Sequence, residues 1–297
     1  MDFQRELEYR ASDAEQVLNV YLPEEKGYQA NVISAMNYSV TAGGKRLRPV
    51  LMNETYKLFG GSSPAIRPFM AAIEMIHNYS LVHDDLEAMD NDRYRRGKLT
   101  THAKYGEDIG VLAGDGLLNL AFETAISAFS VEKEHPEIVV KSLQILSDKA
   151  GINGMIGGQA ADVAEESSDG VSRDMLDFIY EAKTSALIEA AMMIGAVLGG
   201  ATPDETDTVE KAASLIGKAF QIRDDILDAT GDEKVLGKET GQDERNHKVT
   251  LITFDGYEKA EKAVSDLSDE GLSLILSLPY ENRFLEKLIE FMVHRVK

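Results

Sequence analysis

Cysteine is absent from this chain, which removes disulfides and thiolate metal sites and suits a reducing compartment. The first residues, Met1-Asp2-Phe3-Gln4-Arg5-Glu6, lack the apolar run of a signal peptide, so a cytoplasmic location is expected. Proline is scarce, at seven residues in 297, and no composition shift marks a linker; one domain spanning residues 1–297 is expected. Long hydrophobic runs are missing too. The most membrane-like stretch, 186–200, falls short of the ~20 apolar residues of a spanning helix and carries Glu189, so it reads as a buried core helix. Positive charge is outweighed, with 31 Lys and Arg against 51 Asp and Glu and a net charge of −20, which excludes general nucleic-acid binding. An anionic substrate would therefore be captured by locally clustered cations and bound metal.

What is present is helical spacing. Leu47, Val50, Leu51, Tyr56 and Phe59, then Ile66, Phe69, Met70, Ile73 and Ile76, recur at three and four residues, so the chain reads as all-α. Ser63-Pro64 reads as an N-cap with proline in the first turn, opening a helix that runs into acidic residues. Thr202-Pro203-Asp204-Glu205 reads as a capping box opening a second such helix. Residues 97–101 and 231–247, polar and glycine-containing, read as loops. No fixed-period repeat points to a solenoid.

The chemistry gathers in two acidic clusters, Asp84-Asp85-Leu86-Glu87-Ala88-Met89-Asp90 and Asp224-Asp225-Ile226-Leu227-Asp228. Asp224 and Asp228 are about 40° apart around a helix and can aim at one cation. Asp84 and Asp90 are roughly 120° out of phase on an ideal helix, so a shared ion requires the helix to loosen or end near Leu86–Met89. Magnesium normally takes one or two protein carboxylates plus water and phosphate oxygens, and two such clusters offer that to a diphosphate. Either cluster alone also fits an exposed acidic helix end.

Cations are concentrated in Gly43-Gly44-Lys45-Arg46-Leu47-Arg48-Pro49 and again at Arg93, Arg95, Arg96 and Lys98. The first group pairs three cations with glycines that let an anion approach the backbone. Lys183-Thr184, Gln221 and Lys238 add donors. His77, nearly two turns before Asp84 on the same face, can donate to phosphate or simply fill the core, and His83 reads as a packing residue with no zinc expected.

These segments, together with Gly157-Gly158-Gln159-Ala160-Ala161-Asp162, Leu236-Gly237-Lys238 and Lys248 before Thr250, resemble the trans-isoprenyl diphosphate synthases, most closely the bacterial farnesyl diphosphate synthases, over nearly the whole chain. The resemblance implies a helical bundle of the isoprenoid synthase type around a deep central cavity, working as a homodimer. It implies that Asp84, Asp85 and Asp90 hold two magnesium ions and that Asp224 with Asp228 helps hold a third. Lys45, Arg48, His77 and Arg96 would bind isopentenyl diphosphate; Arg95, Lys183, Thr184, Gln221 and Lys238 would contact the allylic substrate, with Thr184, Gln221 and nearby carbonyls stabilising its carbocation, and Lys248 belongs to the same substrate-binding set. Glu87, Leu99, Glu239 and Leu251 depart from the family pattern, which bears on loop rigidity more than on chemistry.

Product length should depend on the depth of an apolar pocket below the first cluster. Tyr79, about 7.5 Å along a helix from Asp84, and its neighbour Ser80 are the chain-length candidates, and an aromatic there resembles the fifteen-carbon synthases. Tyr79 also fits plain core packing. A geranylgeranyl diphosphate synthase shares every motif. A class I terpene cyclase has less use for the separate Lys45, Arg48 and Arg96 site, and a non-catalytic partner subunit would not keep both clusters.

Overall fold

Runs of apolar residues at helical spacing do become helices. The computed structural model describes residues 2–166, 171–230 and 249–294, and these are all-α apart from one two-stranded sheet. They fall into two compact units, Met1–Val50 with Ser63–Leu143 and Leu51–Ser62 with Gln144–Lys297.

The first unit contains α1 (Phe3–Val20), α2 (Ala30–Val40), α4 (Ile66–Asp84), α5 (Thr101–Tyr105) and α6 (Glu107–Ile126); α3 (Leu47–Leu58) begins in it. Helix α4 is apolar almost all round and is buried accordingly, with Phe69, Ile73, Met75 and Ile76 fully enclosed. Its start differs slightly from the sequence expectation. Pro64 and Ala65 form a turn, the helix opens at Ile66, and Ser63 Oγ accepts from Ala65 N while donating to Glu132 at 2.8 Å. Helix α6 meets α4 through small residues. A methyl group on Gly114 would lie 2.0 Å from His83 Nε2, and that nitrogen sits 3.1 Å from Val111 O, so His83 is a packing residue. Residues 97–101, expected as a loop, instead complete a hairpin of β1 (Tyr94–Arg95) and β2 (Lys98–Leu99) and start α5. Gly97 at φ 73° supplies the tight turn.

In the second unit α7 (Pro136–Ala150) finishes, followed by α8 (Met155–Glu166), α9 (Arg173–Ile179), a π-helical turn Tyr180–Ser185, α10 (Ala186–Gly199) and α11 (Pro203–Thr230). Every residue of α10 from Ala186 to Leu198 is buried, so the most membrane-like stretch is a core helix. Glu107–Ser130 and Arg173–Gly199 are long and apolar enough to cross a membrane by length and composition alone; the second packs inside its unit. Helix α11 opens on the expected capping box: Glu205 N donates to Thr202 Oγ1 at 3.3 Å and Thr202 N to Glu205 Oε2 at 2.8 Å. Helix Tyr257–Leu276 packs along α11.

Two glycines grip the π turn. A methyl on Gly158 of α8 would lie 2.2 Å from Lys183 N, and one on Gly217 of α11 would lie 2.6 Å from Ser185 Cα. At Gly158 main chain packs on main chain, and at Gly217 it packs on the Ser185 backbone and the root of its side chain. A π turn inside an α-helix is a costly irregularity that tends to mark a functional segment, and this one carries Lys183 and Thr184.

Candidate active site

Helix α4 stops at Asp84, just ahead of the Leu86–Met89 stretch where the phase mismatch with Asp90 called for a break. A turn then folds the chain back, and Asp90 N donates to Asp84 O at 2.9 Å while Asn91 N donates to Leu86 O at 3.0 Å. The stretch from Asp84 to Asp90 is thus closed into one loop by backbone bonds, bringing the main chain of Asp90 against that of Asp84. Asp84 is half-buried and Asp90 exposed, whereas Asp85 is buried. Asp85 and Arg95 hold one another: Arg95 Nε and Nη2 reach Asp85 Oδ1 at 2.8 and 2.6 Å. Burial raises the Asp85 pKa above its ordinary value, with the Arg95 bond pulling the other way. Metal ligation by Asp85, or a diphosphate contact by Arg95, requires this bridge to open. A small, partly open pocket lies beside the pair, lined by Asn78, Leu81, Val82 and Arg96 among others.

The cation segments come together in the first unit. Gly43 and Gly44 adopt φ 103° and 148°, and Arg96 Nη1 donates to Gly43 O. A Cβ on Gly44 would sit 2.9 Å from that same Nη1, so the glycine admits the guanidinium. Of the three cations in Lys45-Arg46-Leu47-Arg48, the structure removes one from the anion clamp that sequence reasoning drew. Arg46 turns inward, 2% exposed, with Nη1 on Glu74 Oε1 at 2.8 Å and Nη2 on Val40 O at 2.6 Å. Lys45 stays exposed and Arg48 half-buried. His77 lies on α4 among them; its pKa is held well below 6.5, first by burial and then by Arg48, Arg96, Arg95 and Arg46. It is therefore a neutral ring facing a positive field, able to donate one hydrogen bond to an arriving anion.

In the second unit a chain of hydrogen bonds links the predicted residues. Thr184 Oγ1 donates to Gln221 Oε1 at 2.6 Å, and Gln221 Nε2 donates to Asp225 Oδ1 at 2.8 Å. Tyr180 Oη donates to Asp225 Oδ2 and accepts from Leu251 N at 2.8 Å. Lys183 Nζ is ion-paired with Asp162 Oδ2. Asp224 and Asp228 occupy one uninterrupted helix, Asp224 half-buried and Asp228 buried. Lys238 and Lys248 lie outside the described residues. Sequence reasoning missed roles for Asp162, Tyr180 and Asp225; the one local signal was the Gly157-Gly158 pair inside a helix, which marks a close backbone approach.

The acidic donor set is all oxygen and fits magnesium. Among the described residues no three carboxylate or histidine side chains stand close enough together to hold a metal ion by themselves.

A family model described as polyprenyl synthetase matches residues 29–272, running through both units. The chain belongs to that family of prenyltransferases. This synthetase is 38% identical to the farnesyl diphosphate synthase of Escherichia coli (strain K12), with all of both chains covered. It is 44% identical to the chloroplastic heterodimeric geranylgeranyl pyrophosphate synthase large subunit 1 of Arabidopsis thaliana, over 82% of this chain and 66% of the plant protein. Among solved structures, a Helicobacter pylori geranyltransferase complexed with magnesium and isoprenyl diphosphate shares 31% identity at TM-score 0.84, covering 99% of the synthetase and 97% of that chain. The relatives' names divide between fifteen- and twenty-carbon products.

Proposed function

We propose that the chain is a magnesium-dependent farnesyl diphosphate synthase that condenses dimethylallyl or geranyl diphosphate with isopentenyl diphosphate. The observation carrying the product length is Tyr79. Its ring is 5% exposed in α4, edge-on to His83 at 5.9 Å, and its hydroxyl is buried without a hydrogen-bond partner among the described residues. Burial and then the charge of Asp84 push its pKa up to about 12, which keeps a neutral phenol next to the first acidic cluster. A bulky ring held there is suited to floor an apolar pocket.

Asp84, Asp85 and Asp90, and separately Asp224 and Asp228, would hold magnesium, three ions in all, which supplies charge stabilisation for a departing diphosphate. Lys45, Arg48, Arg96 and neutral His77 bind the isopentenyl diphosphate, leaving its double bond to act as nucleophile. Lys183 releases Asp162 for the allylic diphosphate, joined by Lys238 and, once freed from Asp85, Arg95. The allylic C–O bond breaks, diphosphate leaves with the electron pair, and the double bond of the second substrate attacks the allylic cation. The new cation then loses a proton, for which the released diphosphate is the base, so no dedicated side-chain base is needed. A second reading, geranylgeranyl diphosphate synthesis, is favoured by the plant relative. A single domain, cytoplasmic location and homodimeric assembly belong to the proposal; exposed Leu112 (52%) and Ile126 (53%) on α6 suit a second copy.

The deciding experiment incubates purified protein with dimethylallyl and isopentenyl diphosphates and identifies the product. Farnesyl diphosphate supports the reading, and a mainly twenty-carbon product overturns it. Tyr79→Ala should shift the distribution toward longer chains; unchanged products from that variant would place the pocket floor elsewhere.

A further inference from the structure

The hydrogen bonds that run from Leu251 through Tyr180, Asp225 and Gln221 to Thr184 share one direction. A backbone N–H can only donate, so the bond from Leu251 N makes the Tyr180 oxygen an acceptor and leaves the one phenolic proton for Asp225. Asp225 therefore accepts on Oδ2, and its Oδ1 takes a proton from Gln221 Nε2 at 2.8 Å. That fixes the Gln221 amide with its oxygen toward Thr184, whose hydroxyl donates to it at 2.6 Å. Thr184 has thus committed its only proton. Toward anything else it meets it offers lone pairs alone, a polarity unsuited to a diphosphate oxygen and suited to positive charge on carbon.

The surroundings make the arrangement rigid. Tyr180, Thr184 and Asp225 are all buried, and Tyr180 and Thr184 sit at either end of the π turn that Gly158 and Gly217 clamp. Leu251 follows Thr250, whose hydroxyl caps its short helix by accepting from Thr253 N. The donor that sets the whole direction is therefore anchored.

We propose that Asp225 is a positioning residue: acting through Gln221, it holds the Thr184 hydroxyl as an acceptor for the charge that develops on the allylic carbon. This rests on the function proposed above. Both carboxylate oxygens of Asp225 are drawn into this chain, a task distinct from holding metal.

Asp225→Asn tests it because it reverses the order. With the Tyr180 proton on the new amide oxygen, the new NH₂ faces Gln221, whose amide must turn over and present NH₂ to Thr184. The hydroxyl then accepts and has its proton free. The kcat is expected to fall on the order of 10-fold, while KM for both substrates and calorimetric binding of inorganic pyrophosphate with magnesium change less than about 2-fold. Adding Gln221→Glu restores the direction, since the new carboxylate accepts from both neighbours, and should recover most of the lost kcat. As a fold-conserving check, Thr184→Val should lower kcat in the parent protein and add little in the Asp225→Asn background. The proposal is overturned by an Asp225→Asn kcat within about 2-fold of the parent, by a double variant no better than the single one, or by pyrophosphate affinity falling in step with kcat, which would make Asp225 a metal ligand. A parent protein that does not join the two diphosphates defeats the proposed function instead; a working parent with an indifferent Asp225→Asn defeats this inference alone.

Discussion

Asp84→Ala is expected to lower kcat by at least ~10²-fold without unfolding the protein, because it deletes a carboxylate meant to hold charge against a departing diphosphate. The backbone gives the experiment its clarity. Asp84 ends α4, and the bond that closes the acidic loop runs from Asp90 N to the Asp84 carbonyl, which alanine retains. Alanine is also at ease in the last turn of a helix. The far-ultraviolet circular dichroism and the melting temperature should therefore stay close to those of the parent, with the loss confined to turnover and to the magnesium concentration needed for half-maximal rate. Near-normal turnover at ordinary magnesium would contradict the metal assignment of the first cluster.

Arg46→Ala is expected to cost about 3–5 kcal/mol of folding stability, the usual penalty for stranding one member of a buried ion pair. The side chains of Arg46 and Glu74 are 1% and 2% exposed, and the guanidinium also satisfies the Val40 carbonyl at 2.6 Å. Removing it strands the Glu74 carboxylate on α4 and the Val40 carbonyl at the end of α2 in the buried interior of the first unit. Replacing both partners, as in Arg46→Met with Glu74→Leu, should recover much of the loss, since no unpaired charge remains. Urea unfolding with the midpoint and slope compared across the three proteins measures this. A loss below about 1 kcal/mol for the single variant would mean that the pair is not what holds the loop of Gly43 and Gly44 to α4.

The parts of the fold that the chain announces locally are those whose partners lie three to six residues away. Thr202 and Glu205 form their box as written, and the phase mismatch between Asp84 and Asp90 calls for a break that the chain makes at Asp84, slightly ahead of Leu86–Met89. The partnerships that decide the chemistry span longer distances. Arg46 meets Glu74 across 28 residues and Tyr180 meets Asp225 across 45, and neither pairing leaves a trace in helical spacing. Hence Arg46 was grouped with Lys45 and Arg48 as an anion clamp, while burial recruited it into the core. The hairpin at Tyr94–Leu99 escaped notice because two residues per strand are too few to alternate visibly. The π turn has no compositional signature; only the neighbouring glycines hint that something must come close.

Those glycines separate two kinds of evolutionary freedom. Where Gly158 and Gly217 press on Lys183 and Ser185, contact is made by backbone atoms and the short root of the Ser185 side chain, so even alanine would pry the turn from its supports. Tyr79, by contrast, meets its surroundings through a side chain whose bulk can be traded for another's. If Tyr79 floors the product pocket as proposed, chain length can drift by ordinary side-chain exchange, while the frame around Lys183 and Thr184 tolerates almost no change of mass.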